Sequence, residues 1–324
     1  MLKQCIGAIR MDLVNDRVAL MDGQSTKKAV AYIFSGTGNT LIAGKMLQGS
    51  LLEYGISLDI YQITTDLVHM PDPNAYDLAF FAYPIHAFNS PQFFLHFVKN
   101  IPALNEEKSG MPAYIFKTSG EPFRPNNASS YSLCHILRKK GFQPASDMHM
   151  LMPYNIMFRY PDAMAKQMYI HTRHMAGVLA EKAGEDLIEK PSFNPVTVIW
   201  AYLLRLQWFG AWVNGPLIKA KADLCTSCGK CVKNCPADNI TMVQKMVHGE
   251  VKVLPKFGGK CTMCMCCTMD CPTGAINPGF LTPWKVNGAW DFDKLMADDS
   301  IPDNWTDNEN ARYFKLFRNY YRNT

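Results

Sequence analysis

The feature that most constrains this chain is a run of four cysteines that occurs twice. The first copy consists of Cys225, Cys228, Cys231 and Cys235. The second copy consists of Cys261, Cys264, Cys267 and Cys271, each 36 positions after its counterpart. A proline, Pro236 or Pro272, follows the last cysteine of each copy. Equal spacing and equal displacement indicate the internal duplication of one ligand-binding unit.

The x2-x2-x3-Pro spacing favours two [4Fe–4S] clusters over two zinc sites. Three closely spaced thiolates can converge on one face of a cubane, while the fourth cysteine is carried away by the proline and reaches the other cluster. One cluster is then expected to bind Cys225, Cys228, Cys231 and Cys271. The other is expected to bind Cys261, Cys264, Cys267 and Cys235. Zinc sites also use C-x2-C pairs, but they do not need this regular run.

The other three cysteines, Cys5, Cys134 and Cys266, lie outside the pattern, and we predict that they are small buried apolar residues. Charged residues such as Lys3, Arg10 and Asp12 interrupt the N-terminal segment, which therefore does not resemble a Sec signal peptide. We expect a cytoplasmic protein whose cysteines act as ligands rather than as disulfides.

A glycine-rich segment at residues 35–40 (SGTGNT) is the second informative motif. It follows the apolar run AVAYIF (29–34) and precedes a helical pattern that extends to about Leu52. Backbone N–H groups at such a strand–helix turn, together with Ser and Thr hydroxyls, can bind a phosphate. No Lys follows the glycines, and the segment is not G-x-G-x-x-G. Neither a nucleotide-hydrolysing P-loop nor direct reduction by NAD(P)H is therefore expected.

The first 190 residues alternate between predicted strands and helices. Further strands are predicted at 57–63, 77–83, 111–117 and 146–152, and helices near 91–100, 128–140 and 162–189. This alternation predicts an α/β fold with a doubly wound parallel sheet. Five strands fit the order 2-1-3-4-5, which places a ligand at the carboxyl ends of the strands.

The glycine-rich segment resembles the FMN-phosphate loop of flavodoxins, and the resemblance extends over about residues 28–160. It implies that the phosphate of FMN is surrounded by Ser35, Thr37, Gly38, Asn39 and Thr40. Two loops after the third and fourth strands would hold the flavin ring. Their candidate residues are Tyr83, Pro84, Ile85, His86, Ala87, Phe88, Ser119, Gly120, Glu121 and Phe123. His86 is either close to the ring or a surface histidine, and Glu121 either contacts the flavin edge or is solvated.

Residues 222–277 resemble the dicluster bacterial ferredoxins. They differ in the 25 residues between Cys235 and Cys261, where 240–254 reads as a hairpin that turns at His248-Gly249. The whole chain resembles the flavodoxin–ferredoxin fusion proteins of anaerobes. That resemblance implies a C-terminal α+β ferredoxin domain, with FMN and two [4Fe–4S] clusters as cofactors.

The predicted organisation has five parts. They are an N-terminal extension (1–27), a flavodoxin-like domain (28–189), an apolar helical connector (190–221), the ferredoxin domain (222–277) and a C-terminal tail packed on the body (278–324). Within the connector, residues 196–213 carry one charge, Arg205. A single helix packed between the domains is favoured, through a stripe formed by Trp200, Leu204, Trp208 and Trp212. Attachment to a membrane surface and a true span are the alternatives.

Two functions remain open from the sequence. The formal charge of +5 is offset by about −2 for each cluster and about −2 for the flavin phosphate, so the charge does not indicate nucleic-acid binding. We expect an electron carrier that exchanges electrons with a redox partner protein by way of FMN and the clusters. The alternative is an FMN-dependent reductase of a small organic substrate. No paired acid–base residues stand out near the flavin loops, which favours the carrier.

Overall fold

The structure is a computed structural model that describes residues 27–284, 288–307 and 311–324. The predicted extension up to residue 26, including Cys5, lies outside this range. A parallel five-stranded sheet in the order β2-β1-β3-β4-β5 forms the centre of the N-terminal half. Its strands are β1 (Lys27–Ile33), β2 (Ile56–Gln62), β3 (Leu78–Pro84), β4 (Pro112–Ser119) and β5 (Gln143–Leu151). This order confirms the predicted flavodoxin-like fold class.

Helices cover both faces of the sheet. They are α1 (Asn39–Leu51), α2 (Gln92–Asn100), α3 (Tyr131–Lys139) and α4 (Asp162–Gly184). Short 3-10 helices lie at Leu52–Tyr54, Pro73–Ala75 and Arg124–Ser130. Successive side chains of a strand point to opposite faces, so Ala31 and Phe80 pack with α1 and α4. Tyr32 and Phe81 pack with α2 and α3 on the other face. Burial on both faces explains why β1 and β3 are almost entirely apolar.

The connector differs from the single packed helix that its aromatic spacing predicts. It consists of α5 (Pro195–Leu203), a 3-10 turn (Leu204–Leu206) and α6 (Gln207–Leu217). The 3-10 turn has about three residues per turn, so residues four apart on either side of it do not share one face. Trp200 and Trp212 are 56% and 67% exposed, which corrects the prediction of a buried stripe. No helix of the described residues is long and apolar enough to cross a membrane.

The ferredoxin half contains two small antiparallel sheets. Its strands are β6 (Lys219–Ala220), β7 (Ile240–Val247), β8 (Glu250–Phe257) and β9 (Ile276–Asn277), and β6 pairs with β9. Its helices are α7 (Lys230–Lys233) and α8 (Cys266–Met269). Strands β7 and β8 form the predicted hairpin. The positive φ angles of His248 (50°) and Gly249 (86°) suit the two-residue turn of such a hairpin.

The described part of the C-terminal tail packs on the flavodoxin-like domain. Its helices are α9 (Phe292–Ala297) and α10 (Lys315–Asn323), with 3-10 turns at Gly279–Trp284, Trp305–Asp307 and Arg312–Phe314. Trp290, Phe292 and Phe317 are buried in one cluster with Leu151 and Met164. The sequence predicts that this tail packs on the body, without assigning it helices. The spacing of the aromatic residues at 313, 317, 320 and 321 is nevertheless typical of a helix.

Candidate functional site

The glycine-rich loop joins β1 to α1 at the carboxyl edge of the sheet. Gly38 precedes the helix with a φ of 98°, a conformation that glycine adopts without a steric cost. The Ser35 hydroxyl oxygen accepts a hydrogen bond from the N–H of Leu41 at 3.2 Å, which leaves its own proton for a ligand. Buried Thr40 and Thr118 share a hydroxyl–hydroxyl hydrogen bond of 2.7 Å. The loop thus gathers hydroxyl and N–H donors at a helix N-terminus, where an anion is stabilised.

A cavity of about 680 Å³ opens beside this loop. Most of the sequence-predicted flavin residues line it, namely Ser35, Thr37, Asn39, Thr40, Pro84, Ile85, His86, Ala87, Phe88, Ser119, Gly120, Glu121 and Phe123. Two do not. Gly38 forms the turn behind the loop, and the Tyr83 ring is fully buried against Phe94, with ring centroids 4.8 Å apart. Tyr83 ends an apolar strand and points into its core, so we correct its assignment from ring contact to packing.

The loop after β3 has a constrained backbone. Ala87 and Phe88 have φ angles of 43° and 64°, which non-glycine residues rarely adopt. Two backbone hydrogen bonds between His86 and Asn89, at 2.9 and 3.0 Å, hold this turn closed. Burial lowers the pKa of His86 to about 4, so its imidazole is neutral near pH 7. The loop therefore presents a fixed aromatic side chain and a neutral imidazole to the cavity.

The carboxylate of Glu121 is held in place by two tyrosine hydroxyls. Its carboxylate accepts hydrogen bonds from the hydroxyl of Tyr154, at 3.3 Å, and from the hydroxyl of Tyr313 in the C-terminal tail. Tyr160 donates to the carbonyl oxygen of the neighbouring Gly120 at 2.9 Å and also contacts Tyr313. This tyrosine cluster, made of Tyr154, Tyr160 and Tyr313, fixes the loop after β4, and Tyr154 itself lines the cavity.

Sequence reasoning missed the wall that follows β5. Residues 152–157 line the cavity, and so do Thr118 and Asn126. Asn155 donates to the carbonyl oxygen of Thr37 and to the side chain of Asn39, both at 3.2 Å. The rule that ligands bind beyond the carboxyl ends of parallel strands would have pointed to this loop.

The cavity has a feature that a bound group would satisfy. The side-chain oxygen of Asn155 is buried in this wall and makes no hydrogen bond within the described structure. A buried acceptor without a partner costs free energy unless a ligand or water supplies a donor. Together with the donors of the phosphate loop, which Asn155 contacts, this acceptor fits a ligand that carries both a phosphate and hydrogen-bond donors, as FMN does.

The duplicated cysteines surround two separate small cavities. Cys225, Cys228 and Cys231 line the first together with Cys271. Cys261, Cys264 and Cys267 line the second together with Cys235. The structure therefore brings the last cysteine of each run to the other run, as the crossed assignment requires. Cys266 is buried beside the second cavity, where its thiol donates to the carbonyl oxygen of Asn234 at 3.2 Å, and Cys134 is buried in the sheet core.

Backbone N–H groups point at the cysteine sulfurs with matching geometry in the two copies. Asn239 N–H donates to Cys235 Sγ at 3.4 Å, and Ala275 N–H donates to Cys271 Sγ at 3.2 Å. Such bonds stabilise thiolates and tune the potential of a bound cluster. Burial raises the pKa of the Cys264 thiol to about 12, so metal binding must displace its proton.

Among the described residues, no three His, Cys, Asp or Glu side chains converge on one ion position. Each thiolate of a cubane binds a different iron, so a cluster does not require such convergence.

The second cysteine run touches the flavin cavity directly. Met263, Cys264 and Met265 line that cavity. A Cβ atom added to Gly36 of the phosphate loop would lie 2.2 Å from the backbone oxygen of Cys264. The two candidate cofactor sites are therefore in van der Waals contact through their own loops.

One family model and several solved structures are similar to parts of this chain. Residues 224–275 match the family of 4Fe-4S dicluster domains. No curated protein matches the sequence. Similar solved structures include a flavodoxin from the domain Archaea, with 9% identity over 48% of this chain and 97% of the other and a TM-score of 0.30. An oxidoreductase from Corynebacterium diphtheriae is 18% identical over 48% of this chain and 97% of the other, with a TM-score of 0.34. A short-chain flavodoxin associated with a bacterial microcompartment is 13% identical over 49% of this chain and 99% of the other, with a TM-score of 0.36.

The fold assignment of the N-terminal half rests on the strand order of its own sheet. That order is the one of flavodoxins. The chain is thus a fusion of a flavodoxin-like domain with a ferredoxin-type 4Fe–4S dicluster domain.

Proposed function

We propose that this protein transfers electrons between FMN and two [4Fe–4S] clusters, to or from a redox partner protein. Bound FMN would supply one- or two-electron exchange, and each cluster would supply one-electron exchange. The observation that carries the proposal is the shared wall of the two sites, where Met263, Cys264 and Met265 line the flavin cavity. Cofactors held this close exchange electrons without a diffusional encounter.

The residues of this chain have distinct roles in the proposal. Ser35 and Thr40 hold the phosphate, and the loops at 84–88 and 118–123 orient the ring and exclude water. The run 261–267 holds one cluster, which we call the inner cluster because Cys264 packs against the core of the flavodoxin-like domain. The run 225–231 holds the other cluster, which we call the outer cluster because Cys228 is exposed. A partner protein would therefore exchange electrons at the side of Cys228.

Anaerobic purification followed by a redox titration tests this proposal. We expect one flavin and about eight iron atoms per chain, the number that two four-iron clusters require. Visible spectra should report the flavin, and EPR spectra should report two reducible clusters. A colourless protein, or one that contains zinc in place of iron, would reject the proposal.

A second cavity supports the alternative function, a reductase of a small organic substrate. It has a volume of about 560 Å³ and lies between the two domains and the connector. His86 and Met263 line both this cavity and the flavin cavity, and Phe93 and Trp212 add apolar walls. Cavities of this size, mostly apolar with a few polar groups, are typical of ligand sites. Reoxidation of the reduced flavin by a small carbonyl compound, with no protein acceptor present, would favour the reductase.

A further inference from the structure

The connector turns its apolar side chains toward solvent. In α5, Val196, Ile199, Trp200 and Leu203 are 56–61% exposed. In α6, Phe209, Trp212, Val213 and Leu217 are 50–71% exposed. The spacing in each helix is i, i+3, i+4 and then i+7 or i+8, which is the apolar stripe that a helix of a globular protein normally buries. We call these eight residues the connector stripes. Exposed apolar surface of this extent marks an interaction site.

The packing of α5 prevents its stripe from turning inward. Asn89 donates to the carbonyl oxygen of Ala201 at 2.7 Å. Arg205 donates to the Ser132 hydroxyl at 2.5 Å and stacks 3.6 Å above the Tyr202 ring. The inner face of the helix is thus occupied by the flavodoxin-like domain.

Helix α6 is held in the same way by the ferredoxin domain and by the first residues of the C-terminal tail. Asn214, which is 1% exposed, donates to the carbonyl oxygen of Pro278 at 3.0 Å and accepts from the N–H of Phe280 at 2.9 Å. Gly215 lies so close to Gly258 that a Cβ atom would be 2.1 Å from its backbone oxygen. Both stripes therefore face outward because of specific contacts on the opposite side.

The charged residues near the connector stripes are basic, which favours a partner with negative charge. The chain has no Asp or Glu from residue 191 to residue 222. Exposed Lys219 and Lys221 follow α6, and exposed Lys260 lines the same cavity as Trp212. An acid-free apolar surface with tryptophans and nearby lysines matches the interface of an anionic bilayer, where aromatic rings lie at headgroup level.

We infer that the connector stripes dock this protein on the surface of a phospholipid bilayer that contains anionic headgroups. The helices would lie in the interface rather than cross it. Phe209 and Trp212 of the stripes also line the cavity of about 560 Å³, but no stripe residue lines the flavin cavity or the two cysteine cavities. Failure of docking would therefore leave the proposed electron transfer untouched.

Co-flotation of the full-length holoprotein with vesicles tests the inference. Vesicles of phosphatidylcholine and phosphatidylglycerol in equal parts should retain the protein, and phosphatidylcholine vesicles should bind it at least about tenfold more weakly. The triple variant Ile199→Ser, Leu203→Ser and Val213→Ser should reduce binding to the mixed vesicles at least about tenfold. These three exposed residues line none of the four cavities described above, so flavin and iron contents should stay unchanged.

A matched control uses exposed apolar residues outside the stripes. Met246 and Val251 on the hairpin are 71% and 61% exposed. The variant Met246→Ser, Val251→Ser should float with the mixed vesicles like the unmodified protein. Absence of flotation of the unmodified protein, or equal loss in both variants, would overturn the inference. So would a dimer in light scattering that the triple variant converts to a monomer while no vesicle binding occurs, because a second copy would then cover the stripes.

Discussion

At the scale of single residues, Gly36 controls how closely the two cofactor sites approach. No side chain fits between this glycine and Cys264, because even a Cβ atom would meet a backbone oxygen at 2.2 Å. A neighbouring backbone cannot move aside as the end of a flexible side chain can. The glycine is therefore required by the contact between domains rather than by a turn, since Gly38 provides the positive φ.

Gly36→Ala should separate the phosphate loop from the second cysteine run. Forcing an extra methyl group into this contact should lower the free energy of unfolding by about 1–3 kcal/mol, as overpacking does. Urea denaturation would measure this. The control is Gly49→Ala within α1, where a Cβ atom meets nothing within 4 Å. That substitution should stabilise the protein by about 0.5–1 kcal/mol. Equal effects of the two substitutions would contradict the contact.

Cys271 tests how the cysteines are shared between the clusters. It lines the cavity of the 225–231 run although it belongs to the other run in sequence. Cys271→Ser should therefore damage the outer cluster and leave the inner one intact. Iron analysis and EPR of the reduced protein would distinguish the two. Cys266→Ser is the control, since the Cys266 thiol donates to a backbone oxygen, and both clusters should remain. Damage confined to the inner cluster in Cys271→Ser would reject the crossed assignment.

His149 introduces a dependence of stability on pH. Burial and, to a smaller extent, the positive charge of Lys117 lower the pKa of this imidazole to about 3. Between about pH 6.5 and pH 3 the unfolded chain therefore binds a proton that the folded chain does not. Stability should fall as the pH decreases through this window, by up to about 1.4 kcal/mol per pH unit for one such group.

Urea denaturation at several pH values measures this effect, and His149→Gln should reduce the slope, while buried His86 still contributes to it. The control is His135→Gln, which changes an exposed side chain on α3 and should leave the slope as it is. An unchanged slope in His149→Gln would show that acid destabilisation arises elsewhere. The carbonyl oxygen of His149 also accepts a hydrogen bond from Tyr320, which any side-chain substitution preserves.

At the scale of elements, the C-terminal tail braces the loop after β4. Tyr313 donates to Glu121, which lines the flavin cavity, and Trp290 donates to the carbonyl oxygen of Tyr154 at 3.0 Å. Two segments more than 130 residues apart in sequence are thus joined at the cavity rim. The tail restricts the movement of a loop that carries a ligand-facing carboxylate.

Tyr313→Phe should weaken this brace. Loss of a hydrogen bond to a charged acceptor should cost about 1.5–3 kcal/mol of stability and speed the release of FMN. Flavin fluorescence after dilution would follow the release. Tyr321→Phe is the matched control, because the Tyr321 hydroxyl is buried without a partner in the described structure, so its removal should be neutral or stabilising. Faster release from the control variant would contradict the account.

Local signals predict some elements and fail for others. The strands β1, β3 and β4 could be predicted because burial on both faces makes them largely apolar runs. The first three cysteines of each run could be predicted as ligands because their spacing is local in sequence. The connector could not, because the orientation of its stripes depends on contacts with Asn89, Gly258 and Pro278, which lie on other elements. Met263 and Met265 were missed for the same reason: their place in the flavin cavity arises from contact between domains.

At the scale of the whole molecule, the order of the sites defines one path. The flavin cavity is followed by the inner cysteine set, then by the outer set, and the outer set has the exposed Cys228. The tether between domains replaces a bimolecular encounter by an internal step. The central claim is therefore that the flavin and the inner cluster exchange electrons within one chain.

Laser-flash photoreduction of the anaerobic holoprotein tests this claim most directly. After the flavin is reduced by a light pulse, absorbance changes of the flavin and of the clusters report the internal transfer. The account predicts that cluster reduction is first order, with a rate constant that does not change over a tenfold range of protein concentration. A rate that rises in proportion to protein concentration would mean that electrons move only between molecules, and it would contradict the account.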